Sequence, residues 1–155
     1  MGYVDRHLLA DERVIYRTRL HWILFARSML VTLVGLVLAL LPRWYGLDPM
    51  ASLVGLAIIL VGLAMAGVTA VRVLTSEFAV TNMRIVMKVG LIAIHTDEML
   101  LQKVETIGVD QSILGRLLGF GTVTITGTGG AREPFAHVRD PIGFRRAVQE
   151  QSVRR

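Results

Sequence analysis

The sequence predicts a membrane α+β protein, in which a transmembrane helical hairpin is joined to an antiparallel β domain with a C-terminal capping helix. Two observations predict these parts. Two apolar runs, Trp22–Leu41 and Met50–Val71, are separated only by the eight residues PRWYGLDP. After Thr75 the chain changes to short segments that are rich in Val, Ile, Thr and Phe and are punctuated by turn residues. The fold class therefore combines helices suited to a bilayer with strands suited to a water-exposed domain.

Each apolar run is long enough to cross a bilayer as a helix. A hydrocarbon core about 30 Å thick needs about 20 apolar residues per crossing. Met50–Val71 carries no charged side chain, and Trp22–Leu41 carries only Arg27, which is close enough to the start of the run to reach the headgroups. Because the connection is so short, the helices are expected to form an antiparallel hairpin with both chain ends on one side. A cleaved signal peptide is disfavoured, since no A-x-A site follows the first run.

Basic residues around the hairpin predict its orientation. Lys and Arg are enriched in the cytoplasmic segments that flank membrane helices. The loop between the runs carries only Arg43, whereas the flanks carry Arg6, Arg13, Arg17, Arg19, Arg72, Arg84 and Lys88. The sequence therefore predicts that both termini lie in the cytoplasm.

Small residues recur at four-residue spacing in the second run and are predicted to pack transmembrane helices together. They are Ala51, Gly55, Gly62, Ala66 and Ala70. Such a stripe lets helix backbones approach closely in lipid. The facing helix can be the first run of the same hairpin or a helix of another protomer or subunit, and the spacing alone leaves both open.

The segment before the hairpin is predicted to be a strand of the later sheet. In Glu12–Leu20, Val14, Tyr16, Thr18 and Leu20 alternate with Ile15, Arg17 and Arg19, and this period of two is typical of a strand. A lone strand is not stable, so this segment is expected to pair with strands that follow the hairpin. We therefore predict two parts: the hairpin over residues 22–71, and one cytoplasmic domain made of residues 12–20 and 76–153.

The region after the hairpin is predicted to be an antiparallel meander that closes towards a barrel or sandwich. Between two of its strands, Ser112–Leu118 is predicted to be a brief helical or irregular crossover. Asp140 followed by Pro141 is typical of a helix start, with an N-cap and a proline at the first helical position. Phe144, Ala147 and Val148 then form an apolar face that can cover an open end of the sheet.

Several phrases of the chain resemble the bacterial membrane-anchored pleckstrin-homology (PH) domain family. They are EFAVTNMRI, KVGLI, SILGRLLGFGTVTITGTGG and DPIGF, and the most specific part is Gly115–Gly130. The start, YVDRHLLADERVIYRTRLHWILF, is similar to that of small family members with two transmembrane helices. The resemblance implies a PH-like fold, a position in the cytoplasmic (inner) membrane of a bacterium, and self-association. It implies no reaction, because the fold is a binding scaffold.

No motif in the sequence indicates catalysis, a metal site or a cofactor, and we expect none of the three. The chain has no Cys, and its histidines (His7, His21, His95 and His137) lack the spacing of a zinc-binding helix. ITGTGG lacks the Lys-Ser/Thr of a phosphate-binding loop and is interpreted as a hairpin turn. The 17 Lys and Arg residues are spread among 12 Asp and Glu, so nucleic acid is not an expected partner.

Five basic residues are the candidates for lipid or partner binding: Arg84, Lys88, Arg116, Arg145 and Arg146. A cation that faces anionic lipid contributes about 1 kcal/mol to membrane binding. Two structural alternatives remain open. Arg116 can form an ion pair with a carboxylate such as Glu105, and the other basic residues can simply be charged groups that prevent aggregation at strand edges.

The leading interpretation is a non-enzymatic, membrane-anchored interaction or scaffold module that binds copies of itself or serves as an accessory subunit of a membrane complex. The second is a module that binds the headgroups of anionic lipids. The third is a small membrane enzyme that uses His95 or His137. The expected partners are thus membrane lipid and either a homo-oligomer or other membrane proteins.

Overall fold

The computed structural model describes residues 4, 7–45, 49–90, 95–128, 130 and 132–153. The chain divides into two compact units, which are Trp22–Arg72 and a second unit that combines Met1–His21 with Val73–Arg155. We call them the hairpin unit and the strand unit. Together they contain the helices and antiparallel strands of the predicted α+β class, so the fold-class prediction is confirmed.

The hairpin unit contains the long helix α1 (Ala26–Tyr45) and most of a second long helix, α2 (Pro49–Thr75), and a 3-10 turn over Trp22–Phe25 leads into α1. Trp22–Leu41 and Met50–Thr75 are long and apolar enough to cross a membrane, by length and composition. In each span, only 11% of the most apolar stretch is buried, whereas the core helix of a soluble protein is mostly buried. This exposure of apolar side chains is typical of helices that face lipid.

Glycines bring the backbones of α1 and α2 together. A Cβ built on Gly55 would lie 2.7 Å from Ala39 Cα, and one built on Gly62 would lie 2.8 Å from the Thr32 amide nitrogen. Both distances are shorter than real Cβ contacts, so only glycine fits at these two positions. The structure thus places two members of the predicted small-residue stripe against the first helix of the same chain. The other three members, Ala51, Ala66 and Ala70, are half-buried.

The strand unit contains two antiparallel sheets, with strand orders β1-β2-β3-β4 and β5-β6-β7. The strands are β1 (Val14–Thr18), β2 (Glu77–Thr81), β3 (Arg84–Val89), β4 (His95–Leu100), β5 (Val104–Asp110), β6 (Phe120–Gly127) and β7 (Arg132–Arg139). A short helix, α3 (Ile113–Leu118), lies between β5 and β6, and α4 (Pro141–Val153) follows β7.

The strand before the hairpin joins the two sheets. β1 pairs with β2, with Thr18 opposite Phe78. Just beyond β1, Leu20 forms a bridge with Val138 of β7, and the His21 amide donates to the His137 carbonyl at 2.8 Å. At the opposite corner, β4 and β5 are connected by a 3-10 turn rather than paired, so the described strands form an open barrel and not a closed one.

The core lies between the two sheets, and α4 covers it. Its members are at most 1% exposed and come from both sheets and α4: Phe78, Val80, Ile85, Met87, Val123, Ile125, Val138, Phe144 and Val148. Burying a large aliphatic or aromatic side chain contributes about 1.5–3 kcal/mol. The predicted apolar face of the C-terminal helix is confirmed, since Phe144, Ala147 and Val148 are buried.

The start of α4 is also as predicted. An Asp140 carboxylate oxygen accepts a hydrogen bond from the Gly143 amide at 3.1 Å, and Pro141 is the first helical residue. The Tyr16 hydroxyl donates to the other carboxylate oxygen at 2.6 Å. Burial, together with this carboxylate, raises the pKa of Tyr16 to about 12. The phenol therefore stays protonated at neutral pH and ties β1 to the cap of α4.

Candidate interaction surface

The short helix α3 presents a contiguous apolar surface on the strand unit. Ile113 is 88% exposed, Leu114 is 64% exposed and Leu117 is 80% exposed. Arg116 lies among them and is also exposed. Clusters of exposed large apolar side chains mark interaction sites in folded proteins. We call Ile113, Leu114, Arg116 and Leu117 the α3 surface.

Hydrogen bonds at both ends hold α3 in one conformation. The Ser112 hydroxyl caps the helix by accepting from the Gly115 amide at 3.0 Å. At the other end, Gly119 is left-handed, with φ of 77°, and its amide bonds to the Gly115 carbonyl. The Gln111 side chain donates to the Phe120 carbonyl at 3.0 Å, which ties the two flanks together. A helix of six residues is not stable alone, so these contacts position the α3 surface.

Glycines explain why this segment has its particular sequence. A Cβ on Gly115 would lie 2.6 Å from the Phe120 carbonyl oxygen, so the close approach of helix and strand requires glycine. Gly119 has the backbone conformation in which glycine carries no steric penalty. Gly115 and Gly119 are thus required by the backbone geometry of α3 and of the turn that follows it. The leucines Leu114 and Leu117 are exposed and do not contribute to the core.

A stack of three rings attaches the end of α3 to the residue that precedes the first apolar span. The Phe120 ring stacks on His21 at 5.1 Å and on His137 at 6.0 Å between centroids. His21 is only 4% exposed. Burial lowers the pKa of His21, and the neighbouring Arg139 and His137 lower it further, although a hydrogen bond to the Leu118 backbone opposes this. His21 is therefore a neutral structural group at physiological pH.

Arg84, one of the five basic candidates, is engaged within the chain. Its Nε and one terminal nitrogen each lie 3.0 Å from a different carboxylate oxygen of Glu12, and its other terminal nitrogen lies 2.6 Å from Glu98. The Glu12 side chain is fully buried. This guanidinium therefore holds the N-terminal segment on β3.

The other four basic candidates lie on three elements of the strand unit, namely β3, α3 and α4. Lys88 lies on β3 opposite Glu77 of β2. Arg145 is half-buried and Arg146 is exposed on α4. Arg116 belongs to the α3 surface, and within the described part of the chain no ion pair joins it to Glu105. Of the five basic candidates, the structure thus places Arg116 on the α3 surface, and its role in binding stays a prediction.

A basic cleft of about 440 Å³ was not anticipated from the sequence. Arg17, Arg19 and Arg139 line it, together with Tyr16, Thr18 and Asp140. Arg17 lies 3.2 Å from the Glu77 carboxylate. The Arg139 amide donates to the Arg19 carbonyl at 2.9 Å, which makes these residues neighbours. The alternation of β1 indicated that Arg17 and Arg19 share a face, but nothing local indicated the pairing with β7.

A second cavity, of about 450 Å³, contains Asp110, Ser112 and His137. These are the residue types of a hydrolytic triad, but no hydrogen bond between their side chains occurs in the described structure. The Ser112 hydroxyl instead caps α3. A nucleophile requires a base within hydrogen-bond reach, so this cavity lacks the arrangement for covalent catalysis. The side chain of His95, the other candidate base, lies outside the described residues.

The described residues contain no group of three or more His, Cys, Asp or Glu side chains that could hold a metal ion. Comparison with curated proteins and with solved structures gives no significant match. The family described as "Bacterial PH domain" matches residues 20–152. The match includes both apolar helices, the α3 phrase and most of α4. Because it covers most of the sequence, this chain belongs to the bacterial PH domain family.

Proposed function

We propose that this chain is a non-enzymatic interaction module that is anchored in the cytoplasmic membrane of a bacterium and binds a second copy of itself through the α3 surface. The observation that carries the proposal is the exposure of Ile113, Leu114 and Leu117 on a helix that is fixed at both ends. An apolar partner surface would remove these side chains from water. Because the helix is already ordered, binding costs little conformational entropy. PH domains are typically non-catalytic.

Two features favour a second copy as the partner. Membrane anchoring would confine all copies to one surface, which raises their effective concentration. In addition, β5 is an edge strand: within the described sheets it pairs with β6 and with no other strand. Its other edge could therefore pair with a strand of another chain. β5 ends at Asp110, and α3 begins three residues later. If the β5 strands of two copies paired antiparallel, the two α3 surfaces would therefore belong to one two-fold symmetric interface. A different membrane protein is the alternative occupant.

Charge reversal on the α3 surface is expected to dissociate the self-associated form. The double variant Leu114→Glu, Leu117→Glu should weaken self-association at least about tenfold, since burying one leucine contributes about 1.5–3 kcal/mol. Native mass spectrometry of the full chain in mild detergent measures the distribution of masses. Leu100→Glu, Ile142→Glu is the matched control, because both residues are 47% exposed but lie outside α3.

Unchanged masses in the α3 variant, or a wild type that is monomeric at every concentration, would rule out self-association through α3. A wild type that is monomeric alone but forms a stoichiometric complex with a defined membrane protein, lost in the α3 variant, would identify the alternative occupant.

Single cysteines test the proposed anchoring, because the chain has no native Cys. We expect Leu47→Cys, between the two apolar runs of the sequence, to react with a membrane-impermeant maleimide on intact spheroplasts. Ala10→Cys and Ser152→Cys, near the two ends, should react only after the membrane is permeabilised, as the distribution of basic residues predicts. Labelling of either end in intact spheroplasts would contradict the proposed orientation.

Recognition of anionic headgroups is the second candidate function, and the basic cleft favours it. Arg19 and Arg139 are neighbours there, and Arg19 lies three positions before the first apolar span. Each cation near an anionic membrane surface contributes about 1 kcal/mol. This function predicts that the thermal stability of the chain in lipid nanodiscs rises with the content of anionic lipid and falls with added salt.

A further inference from the structure

The hairpin unit contains a groove of about 530 Å³ between its helices. Arg27 of α1 and Arg72 of α2 line it, and Ala64, Met65 and Val68 of α2 supply apolar wall. Both arginines lie at the end of the hairpin where the chain enters and leaves it. The groove is therefore charged at that end and apolar along its length.

The length of the groove matches one leaflet of a bilayer. Its lining extends along α2 from Arg72 to Val61, and a helical rise of 1.5 Å per residue converts these eleven steps to about 16 Å. Half of a hydrocarbon core about 30 Å thick is about 15 Å. Apolar wall at this depth cannot be filled favourably by water, so in a membrane an acyl chain is the natural occupant.

The polar end of the groove is suited to a phosphate group. A guanidinium binds phosphate with two parallel hydrogen bonds, and its charge strengthens both. The hydroxyls of Ser28 and Thr69 also line this region, but they donate to the Phe25 and Met65 carbonyls of their own helices, at 2.8 and 2.9 Å. Among the described residues that line the groove, Arg27 and Arg72 carry the positive charge, so they are the groups that would attract an anionic headgroup.

We propose that this groove binds one anionic glycerophospholipid of the cytoplasmic leaflet, with its phosphate between Arg27 and Arg72 and one acyl chain along Ala64, Met65 and Val68. The inference rests on the proposed membrane anchoring and is independent of self-association. Two positive charges favour an anionic lipid over a zwitterionic one, because a choline group would cancel the attraction to the phosphate.

Native mass spectrometry of the full chain tests the proposal with two probes, phosphatidylglycerol and phosphatidylcholine, added at equal concentration in mild detergent. We expect the wild type to retain phosphatidylglycerol preferentially. Arg27→Gln, Arg72→Gln should reduce that retention about tenfold or more, and Arg27→Lys, Arg72→Lys should retain part of it. Arg13→Gln, Arg132→Gln also removes two cations, but from the strand unit, and should bind like the wild type.

A second variant removes the groove and keeps both arginines. Ala64 is exposed, so the fold should tolerate Ala64→Phe. The added ring would occupy the groove, and the variant should therefore lose phosphatidylglycerol. Equal retention of both lipids by the wild type would overturn the proposal, as would retention of phosphatidylglycerol by the glutamine variant or by Ala64→Phe. A failure of anchoring would appear instead in the cysteine labelling, which these variants leave unchanged.

Discussion

Replacing Arg84 by Met is expected to lower the free energy of unfolding of the strand unit by about 3–5 kcal/mol. The guanidinium holds both carboxylate oxygens of Glu12, whose side chain is fully buried. The same group also donates to the His7 carbonyl at 2.7 Å, so it attaches the N-terminal segment as well. Without Arg84, a buried carboxylate is left without its compensating charge, and the cost of its desolvation is no longer offset.

Hydrogen exchange of the β2 and β3 backbone amides in the full chain measures this loss, because exchange reports opening of one unit within a larger protein. Arg132→Met is the control: it removes an exposed cation from β7, and its effect should stay within about 0.5 kcal/mol. Glu12→Gln combined with Arg84→Met should recover part of the loss, since no unpaired charge then remains. Equal effects of Arg84→Met and Arg132→Met would contradict the argument.

The same ion pair predicts how stability depends on pH. Burial alone would raise the pKa of Glu12, but hydrogen bonds from the Leu9 amide, Arg84 and Thr81, together with the charge of Arg84, lower it below its ordinary value of 4.5. A carboxylate whose pKa is lowered by folding stabilises the protein at pH above its unfolded pKa. That contribution is lost as the pH falls from about 4.5 through the lowered pKa, and Arg84→Met should reduce this dependence.

Alanine at Gly55 or Gly62 is expected to destabilise the hairpin by about 1–3 kcal/mol at each position. The added Cβ would lie within 3 Å of the α1 backbone, at Ala39 or at Thr32, so the helices would have to move apart. Thermal unfolding in mild detergent, followed by circular dichroism at 222 nm, measures the effect. Alanine is intrinsically a better helix former than glycine, so helix propensity alone would stabilise these variants. A loss of stability would therefore be due to the close contact between the helices.

Gly67→Ala is the matched control within the same helix. A Cβ at Gly67 meets nothing within 4 Å, so this substitution should be neutral or stabilise α2 by up to about 1 kcal/mol. If Gly55→Ala and Gly62→Ala behave like Gly67→Ala, close backbone contact does not determine the stability of the hairpin.

Arg84 shows which part of the site could not be predicted. The sequence indicated an exposed cation on a strand, four residues before Lys88. Its main partner, Glu12, is 72 positions away and lies on the other side of both apolar runs. No local pattern predicts such a pair, because it depends on the placement of the N-terminal segment against β3.

The α3 segment shows the same limit. Ser112–Leu118 is predicted to be a brief helical or irregular crossover, and the structure contains a helix there. An apolar sequence such as ILGRLL is equally compatible with burial, and only the packing around it reveals that Leu114 and Leu117 are exposed. The exposure of the α3 surface therefore depends on the packing of the surrounding elements, which leave these side chains uncovered.

The sequence by itself determined the two apolar helices, the alternating strand before them and the capped C-terminal helix, because hydropathy, periodicity and capping depend on neighbours within a few residues. Only the tertiary structure decided that the two sheets meet through Leu20 and Val138, that Arg84 is an internal partner, and that arginines from both helices line one groove. Each of these features joins residues that are distant along the chain, and their contact arises from the packing of the whole unit.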